Sequence, residues 1–377
     1  MDTVEPKRIG IDARSYNWTG IGRYIRNIMQ GVLAADHANE YVVFLDHAAR
    51  EHFVAPAGAR VKVIEVECPH YSLKEQTTFL RMLQREKLDL VHFPHFNLPL
   101  LYRRPFVVTI HDLTLSFYPG KKMTSPIERL AYQVTIGNAC RSAKGIIAVS
   151  ENTKKDIIRL HRTAEEKISV IYEAVETEHY RQFDENAKVA VKSKYHITKP
   201  FLLYVGVWRN HKNVVGMLEG FKKILDRGID AQLVITGKAD PHYPEVLAYI
   251  TEHSLADAVV LPGFVDEADL PALFAAASGF VFPSFYEGFG LPPLEAMAAG
   301  TPVISSNMAT MQEILGDAAL YFDPHNTDAI ATAMERILRD RNLQETLRQK
   351  GLVQVEKFSW HDAAKKTHDL YRHILGQ

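Results

Sequence analysis

Only two cysteines, Cys68 and Cys140, occur in a chain of 377 residues, and they stand far apart. So sparse a pair makes no disulfide framework and suits a reducing compartment. An excess of either charge is missing as well. Lysine plus arginine number 44 against 45 aspartates and glutamates, which removes the electrostatic argument for nucleic acid as a partner. No apolar run reaches the roughly 18 residues of a membrane span. The opening MDTVEPKRIGIDARS lacks the charged-then-apolar order of a secretory leader, so the expectation is a cytoplasmic chain. There is no Asp-x-Asp pair, and the 17 histidines never fall in a spacing such as H-E-x-x-H, so no metal is expected. Repeats with a period of roughly 20 to 50 residues are also absent, which excludes solenoid arrays.

What is present is an ordinary globular composition, 46% hydrophobic, in a chain longer than one core usually supports. Two domains of roughly 150 to 200 residues follow, with a cleft between them. Short β-branched apolar runs alternate with helical spacing throughout, the pattern of parallel α/β sheets. In the first half the strand candidates are 8–13, 41–46, 61–66, 88–94, 106–112, 145–150 and 168–173, with helices near 22–35, 73–86, 126–141 and 151–161. Residues 174–199 are polar and weakly patterned, so the linker is expected there. The second half restarts with strands at 201–207, 231–237, 259–265, 279–284, 301–306 and 320–324, and a helix near 213–227. Ser359, with Asp362 three places later, should cap a final helix. The expected lobes are 1–180 and 198–358, with 359–377 packing back on the first.

Ligands of open α/β sheets sit beyond the carboxyl ends of the strands. Four segments occupy such positions. TGIGRY (19–24) offers Gly20 and Gly22 before a helix, either for close approach of an anion or for a plain tight turn. Ile25 stands where a dinucleotide fingerprint needs its third glycine, which sets NAD aside. His111 and Asp112 end a strand, so the imidazole could address a sugar hydroxyl or be satisfied inside the lobe. VGVWRNHKN (205–213) carries Arg209, His211 and Lys212 at a helix start, suited to a diphosphate or to plain solvation. Last, PSFYEGFGLPPLEAMAAG (283–300) brackets a turn with Glu287 and Glu295. The amides of Gly288, Phe289, Gly290 and Leu291 would lie between two carboxylates able to accept from neighbouring hydroxyls.

E-x7-E in SFYEGFGLPPLEAMAAGTPVI, with IGIDARSYNWTGIGRYIRNI, TIHDLT, IIAVSENTKKDI, LLYVGVWRNHKN, LVITGK, LPGFV and FSWHDAAKKTHDLY, resembles family 4 of the retaining glycosyltransferases. GIGRY and VGxxxxHKN are similar in particular to bacterial mannosyl- and rhamnosyltransferases of surface polysaccharide assembly. The resemblance implies the GT-B fold, two Rossmann-like parallel-sheet lobes facing across a cleft, the acceptor-binding one at 1–180 and the nucleotide-sugar-binding one at 198–358. By resemblance Glu287 would bind hydroxyls of the transferred sugar and Glu295 the ribose. Lys212 would neutralise the diphosphate, and Arg209 could replace the arginine that many members carry where His211 stands here. Gly20 and Gly22 would approach phosphate and sugar, His111 the reacting carbon, Ser150 the cleft wall, and Gly263 and Phe264 the base. Gly206 joins the donor-binding set.

The expected reaction is transfer of a hexose, mannose from GDP-mannose first, to a hydroxyl of a glycan or lipid-linked acceptor by a front-face route with retention. No cofactor or metal is required. A nucleotide-sugar epimerase, a phosphorylase-like enzyme and a non-catalytic nucleotide-sugar binder are the alternatives. Arg103, Arg104, Lys121 and Lys122, near Leu100, Leu101, Tyr102, Phe117 and Tyr118, would suit peripheral membrane contact; scattered solvated charge is the plainer reading.

Overall fold

The protein, represented by a computed structural model, is described for residues 5–121, 123, 125–181 and 183–377. It divides into two compact units. The first contains the chain through Leu113, Ser125–Glu173 and Ser359–Gln377; the second contains a short segment from Thr114 and Ala174–Phe358.

In the first unit the strands are β1 (Arg8–Asp12), β2 (Glu40–Leu45), β3 (Val61–Glu65), β4 (Leu90–Phe93), β5 (Phe106–Ile110), β6 (Gly145–Ala148) and β7 (Ile168–Val170). They pair in parallel in the order β3-β2-β1-β4-β5-β6-β7. The second holds β8 (Phe201–Tyr204), β9 (Gln232–Thr236), β10 (Val259–Gly263), β11 (Gly279–Phe282), β12 (Val303–Ser306) and β13 (Ala319–Phe322), ordered β10-β9-β8-β11-β12-β13. Every strand expected from the sequence is present, with ends that differ from the expected bounds by at most three residues. The central ones are buried throughout, as parallel strands covered on both faces must be. Each sheet order reverses once, between β1 and β4 and between β8 and β11. Taken separately, each unit is therefore a Rossmann-like sheet with one switch point.

The helices that matter below are α1 (Gly20–Ala35), α2 (Pro126–Ser142), α3 (Glu151–His161), α4 (Glu185–Lys194), α5 (Val214–Asp226), α6 (Leu270–Ala276), α7 (Leu291–Ala298), α8 (Thr327–Arg339) and α9 (Trp360–Leu375). On α1 the buried residues Ile25, Ile28, Met29, Val32 and Leu33 recur at helical spacing and share a core with Ile9, Ile11, Ala363 and Ala364. Ser359 caps α9 by accepting the Asp362 N–H at 3.3 Å. Tyr371 of α9, His92, Thr109 and Tyr24 form one buried hydrogen-bonded chain, with links of 2.5, 2.9 and 2.9 Å. Burial, helped by the nearby His111, pushes the His92 pKa down to about 3, so a neutral ring links the chain. In the second unit, α5 and α8 pack on the sheet through Met217, Phe221, Ile330 and Met334.

Three features differ from the sequence reading. Residues 174–199 are not a bare connection: they hold Thr177–Tyr180 and α4, and α4 packs on α6. Asp184 caps α4, but Val191 alone is buried on it, too thin an apolar signal to read. The helix expected at 73–86 opens as a π-helical turn, Glu75–Phe79, before an α-helix from Leu80 to Arg85. The segment from Thr114, between β5 and α2, belongs to the second unit, where Tyr118 stacks on Phe285. The basic and aromatic residues considered for a membrane are largely committed: Tyr102 is buried and Lys121 binds Glu245 at 2.9 Å. Lys122 lies outside the described residues.

Gly31 of α1 marks the closest approach to α9, where an added Cβ would stand 2.4 Å from that of Ala364. Gly31→Ala should overpack this contact and lower stability by about 1–3 kcal/mol, read as a fall in the urea midpoint. An unchanged midpoint would mean that α9 is not seated there.

Candidate functional site

Because β8 and β11 are neighbours at the switch point, the loops leaving their carboxyl ends run side by side. The first carries Arg209, His211 and Lys212, the second Phe285, Tyr286 and Glu287. Phe285 N–H donates to the His211 carbonyl at 2.7 Å. Asn213 adopts a left-handed backbone, φ 53°, and its amide donates to the carbonyls of Pro283 at 3.2 Å and Pro324 at 2.8 Å. One side chain thus ties together the loops after β8, β11 and β13. Within this frame Lys212 Nζ reaches Glu287 Oε1 at 2.6 Å and lies over the Phe282 ring at 5.6 Å. Their side chains are 17% and 13% exposed, sheltered but open to a ligand. Thr310 donates to the Glu287 carbonyl at 2.9 Å, so this residue is held at both backbone and side chain.

Beyond Glu287 the chain turns into α7. Gly290 precedes it with φ 101°, and a Cβ there would come 2.7 Å from Met311 Cε, so glycine alone fits. Pro292 and Pro293 follow in the first turn and bring no N–H. The donors at this helix start therefore come from the residues ahead of them, Gly288, Phe289, Gly290 and Leu291. Glu295 sits one turn inside α7, 3% exposed. Phe289 is buried against Phe358, centroids 5.7 Å apart. Of the two basic candidates beside Lys212, Arg209 is exposed and His211 is buried with its ring 6.5 Å from Tyr118. Gly206 follows β8, and its carbonyl lies 2.3 Å from where a Cβ on Gly237 would stand. Gly263, φ 74°, closes β10 at the sheet edge, and Phe264 beyond it is 74% exposed.

In the first unit, His111 follows β5 with both ring nitrogens engaged. Nδ1 contacts Glu173 Oε1 at 2.7 Å and Nε2 contacts the Pro94 carbonyl at 2.8 Å. Two acceptors demand two N–H groups, which is the imidazolium. Burial opposes that charge most strongly, yet Glu173, the Pro94 carbonyl and the charge of Asp112 together raise the pKa above its ordinary value. No ring N–H is left over for a sugar hydroxyl, so any contact of His111 with a ligand moves to its main chain. Ser150 is fully buried and caps α3, accepting the Thr153 N–H at 3.0 Å. Gly20 opens α1 with free space where a Cβ would be. Gly22 has a packing reason instead: its Cβ would stand 2.5 Å from the Tyr16 carbonyl. Glu173 and Asn213 escaped sequence reasoning, because their partners lie far away along the chain.

Two family models match: "Glycosyltransferase Family 4" over residues 18–179 and "Glycosyl transferases group 1" over residues 185–353. The O-antigen chain mannosyltransferase B of Escherichia coli is 30% identical over 376 residues, covering 95% of this chain and 97% of the relative. The chain is a family 4 glycosyltransferase. Solved structures with a similar fold include sucrose-phosphate synthase from Thermosynechococcus elongatus, TM-score 0.78 and 21% identity over 98% of this chain and 99% of that one. Anabaena HepE in complex with UDP and glucose superposes with TM-score 0.75 at 18% identity, over 97% of this chain and 100% of that one. The GT-B class implied by the sequence is the class of this glycosyltransferase.

The His111–Glu173 pair makes a pH-dependent contribution to the enzyme's stability. A raised folded pKa adds stability that is complete below the unfolded value of about 6.5 and is lost as pH rises through the folded one. Glu173→Gln should therefore lower the thermal midpoint more at about pH 6 than at about pH 9. An equal loss at both would mean that the ring is neutral.

Proposed function

We propose that this glycosyltransferase moves a hexose, mannose from GDP-mannose first, from a nucleoside diphosphate sugar to a hydroxyl of a glycan or lipid-linked glycan. The observation that carries the reading is the 2.6 Å contact of Lys212 with Glu287 at the mouth of an amide-rich helix start. A carboxylate there accepts from the hydroxyls of the transferred sugar while holding the ammonium in place. Lys212, the exposed Arg209 and the amides of Gly288–Leu291 face the negative charge that grows on the departing diphosphate. Donors fixed in advance lower the barrier without reorganising during the reaction. Glu295 is assigned to the ribose, and Gly263 and Phe264 to the base.

Cations and amides can meet the diphosphate charge without a resident metal, which is the mechanism we favour. Retention follows a front-face route, the diphosphate taking the proton of the acceptor hydroxyl as that oxygen bonds to the anomeric carbon and the glycosidic phosphate bond breaks. Mannose is favoured because the Escherichia coli relative, named a mannosyltransferase, matches nearly the whole chain. A cytoplasmic place of work agrees with two buried, unpaired thiols, Cys68 and Cys140. Among the described residues no helix is long and apolar enough to cross a membrane.

GDP-, UDP- and ADP-sugars, each offered with a mannose-terminated acceptor, test the reading through free nucleoside diphosphate and a lengthened glycan. GDP-mannose should react, with EDTA without effect. An epimerase would return an altered sugar nucleotide, and a binder would release nothing. Glu287→Gln should lose about 10²–10³-fold in kcat while GDP still raises the thermal midpoint. Native turnover by that variant would remove Glu287 from the mechanism.

A further inference from the structure

The chain leaves the first unit after Leu113 and re-enters it at Ser125, and the stretch between belongs to the second unit. Ordering such an excursion costs conformational entropy that its contacts must offset. Those contacts follow a line. After one helical turn, Thr114–Phe117, the stretch meets in succession the loops that leave β11, β8 and β9, three neighbours in the second sheet. Phe117 meets Tyr286 of the loop after β11, centroids 4.9 Å apart at 42°. Tyr118 lies nearly parallel to Phe285 of the same loop, at 6.2 Å and 13°, and 6.5 Å from the His211 ring in the loop after β8. Lys121 N–H donates to the hydroxyl of Tyr243, on the segment that leaves β9, at 3.1 Å, and its ammonium meets Glu245 at 2.9 Å.

Gly120 shows how closely the stretch is applied. Its φ is 66°, and an added Cβ would stand 2.4 Å from the Tyr243 hydroxyl, so glycine is needed for both angle and space. Tyr243 is itself buried, which makes it a firm anchor. At the other end Tyr118, Phe285 and His325 follow one another as a stack, the second pair 4.6 Å apart at 14°. Stacked rings hold one another beyond the area they bury.

These rings touch the frame of the Lys212–Glu287 pair. His211 directly precedes Lys212, and Tyr286 directly precedes Glu287. The Phe285 N–H bond to the His211 carbonyl and the Asn213 amide bond to the Pro283 carbonyl join the two loops through the main chain. Neither bond involves the side chains of His211, Phe285 or Tyr286. Tyr118 packs against the first two and Phe117 against the third, so the stretch braces from outside what the backbone bonds join at the base.

We propose that Tyr118 is a positioning residue for the transfer reaction: resting on His211 and Phe285 at once, its ring sets how Lys212 stands to Glu287. It acts through the two loops and not by touching the donor. The word transfer rests on the reading above; the bracing of the loops does not.

Hydrogen exchange of the full chain without ligand, read by mass spectrometry on peptides covering 205–215 and 283–291, tests the bracing in Tyr118→Ala and Tyr118→Phe. Phenylalanine keeps the ring and should exchange as the native chain does. Alanine should speed exchange in both peptides by roughly tenfold, while the buried strands β9 and β12 keep native protection and show that the variant is folded. Where those strands lose protection, Tyr118→Val takes the place of alanine with the same expectation. With GDP-mannose and a mannose-terminated acceptor, alanine should lose about 10–10²-fold in kcat, phenylalanine should stay near native, and the acceptor KM should hold in both. Native exchange in both loops of the alanine variant overturns the inference. So does faster exchange with native kcat, or a kcat lost equally when phenylalanine keeps the ring. Faster loop exchange in a protein whose native form releases no nucleoside diphosphate leaves the bracing standing and sinks the transfer reading instead.

Discussion

The reversal of strand order between β8 and β11 is the constraint on which the candidate site depends. Two parallel neighbours both end at the same edge of the sheet, so their outgoing loops must share the space beyond it. Lys212 and Glu287, 75 residues apart, meet there because the backbone leaves them no other place. Their contact then needs local devices rather than a large driving force. Asn213 ties the neighbouring loops to one another, Phe285 N–H bonds across to His211, and Thr310 fixes the Glu287 backbone. A sheltered ion pair contributes little net stability, since desolvation offsets most of the attraction. What it provides is orientation.

The same edge explains the glycine and the two prolines of the turn. Gly290 supplies a backbone angle and a close approach to Met311 that no other residue accepts. Pro292 and Pro293 start α7 without adding N–H groups, so the backbone N–H groups at this end belong to the residues just before them. Glu295 then follows one turn on, inside the helix. The spacing of the two glutamates is thus the length of a glycine turn plus the first turn of a helix.

Strands were legible because a parallel strand buried on both faces must be a short, unbroken apolar run, and LLYV or GFVF can be little else. The placing of Lys212 and Glu287 beyond the sheet edge was legible because each lies in the loop that leaves such a run. Elements and roles that depend on distant partners were not. Helix α4 buries Val191 alone, so nothing periodic announces it. Glu173 ends an ordinary strand pattern, and only β5 and β7 in place show that it meets His111. Gly22 reads like a ligand glycine, but the Tyr16 carbonyl beside it explains it by packing. The segment from Thr114 joins the second unit through Tyr118 and Lys121, whose partners Phe285 and Glu245 lie more than a hundred positions on.

The two switch points handle charge in opposite ways. In the second unit the ions stay partly open to solvent, Lys212 at 17% and Glu287 at 13%, so neither is a deeply buried ion that would be stranded if the pair opened. In the first, Asp12, Arg14 and Glu75 are almost wholly enclosed, at 4%, 2% and 0%. Separating a pair that deep costs several kcal/mol, so no ionic ligand could exchange with it. The Lys212–Glu287 pair can exchange partners with another charged group, whereas the enclosed one is a fixed part of the fold.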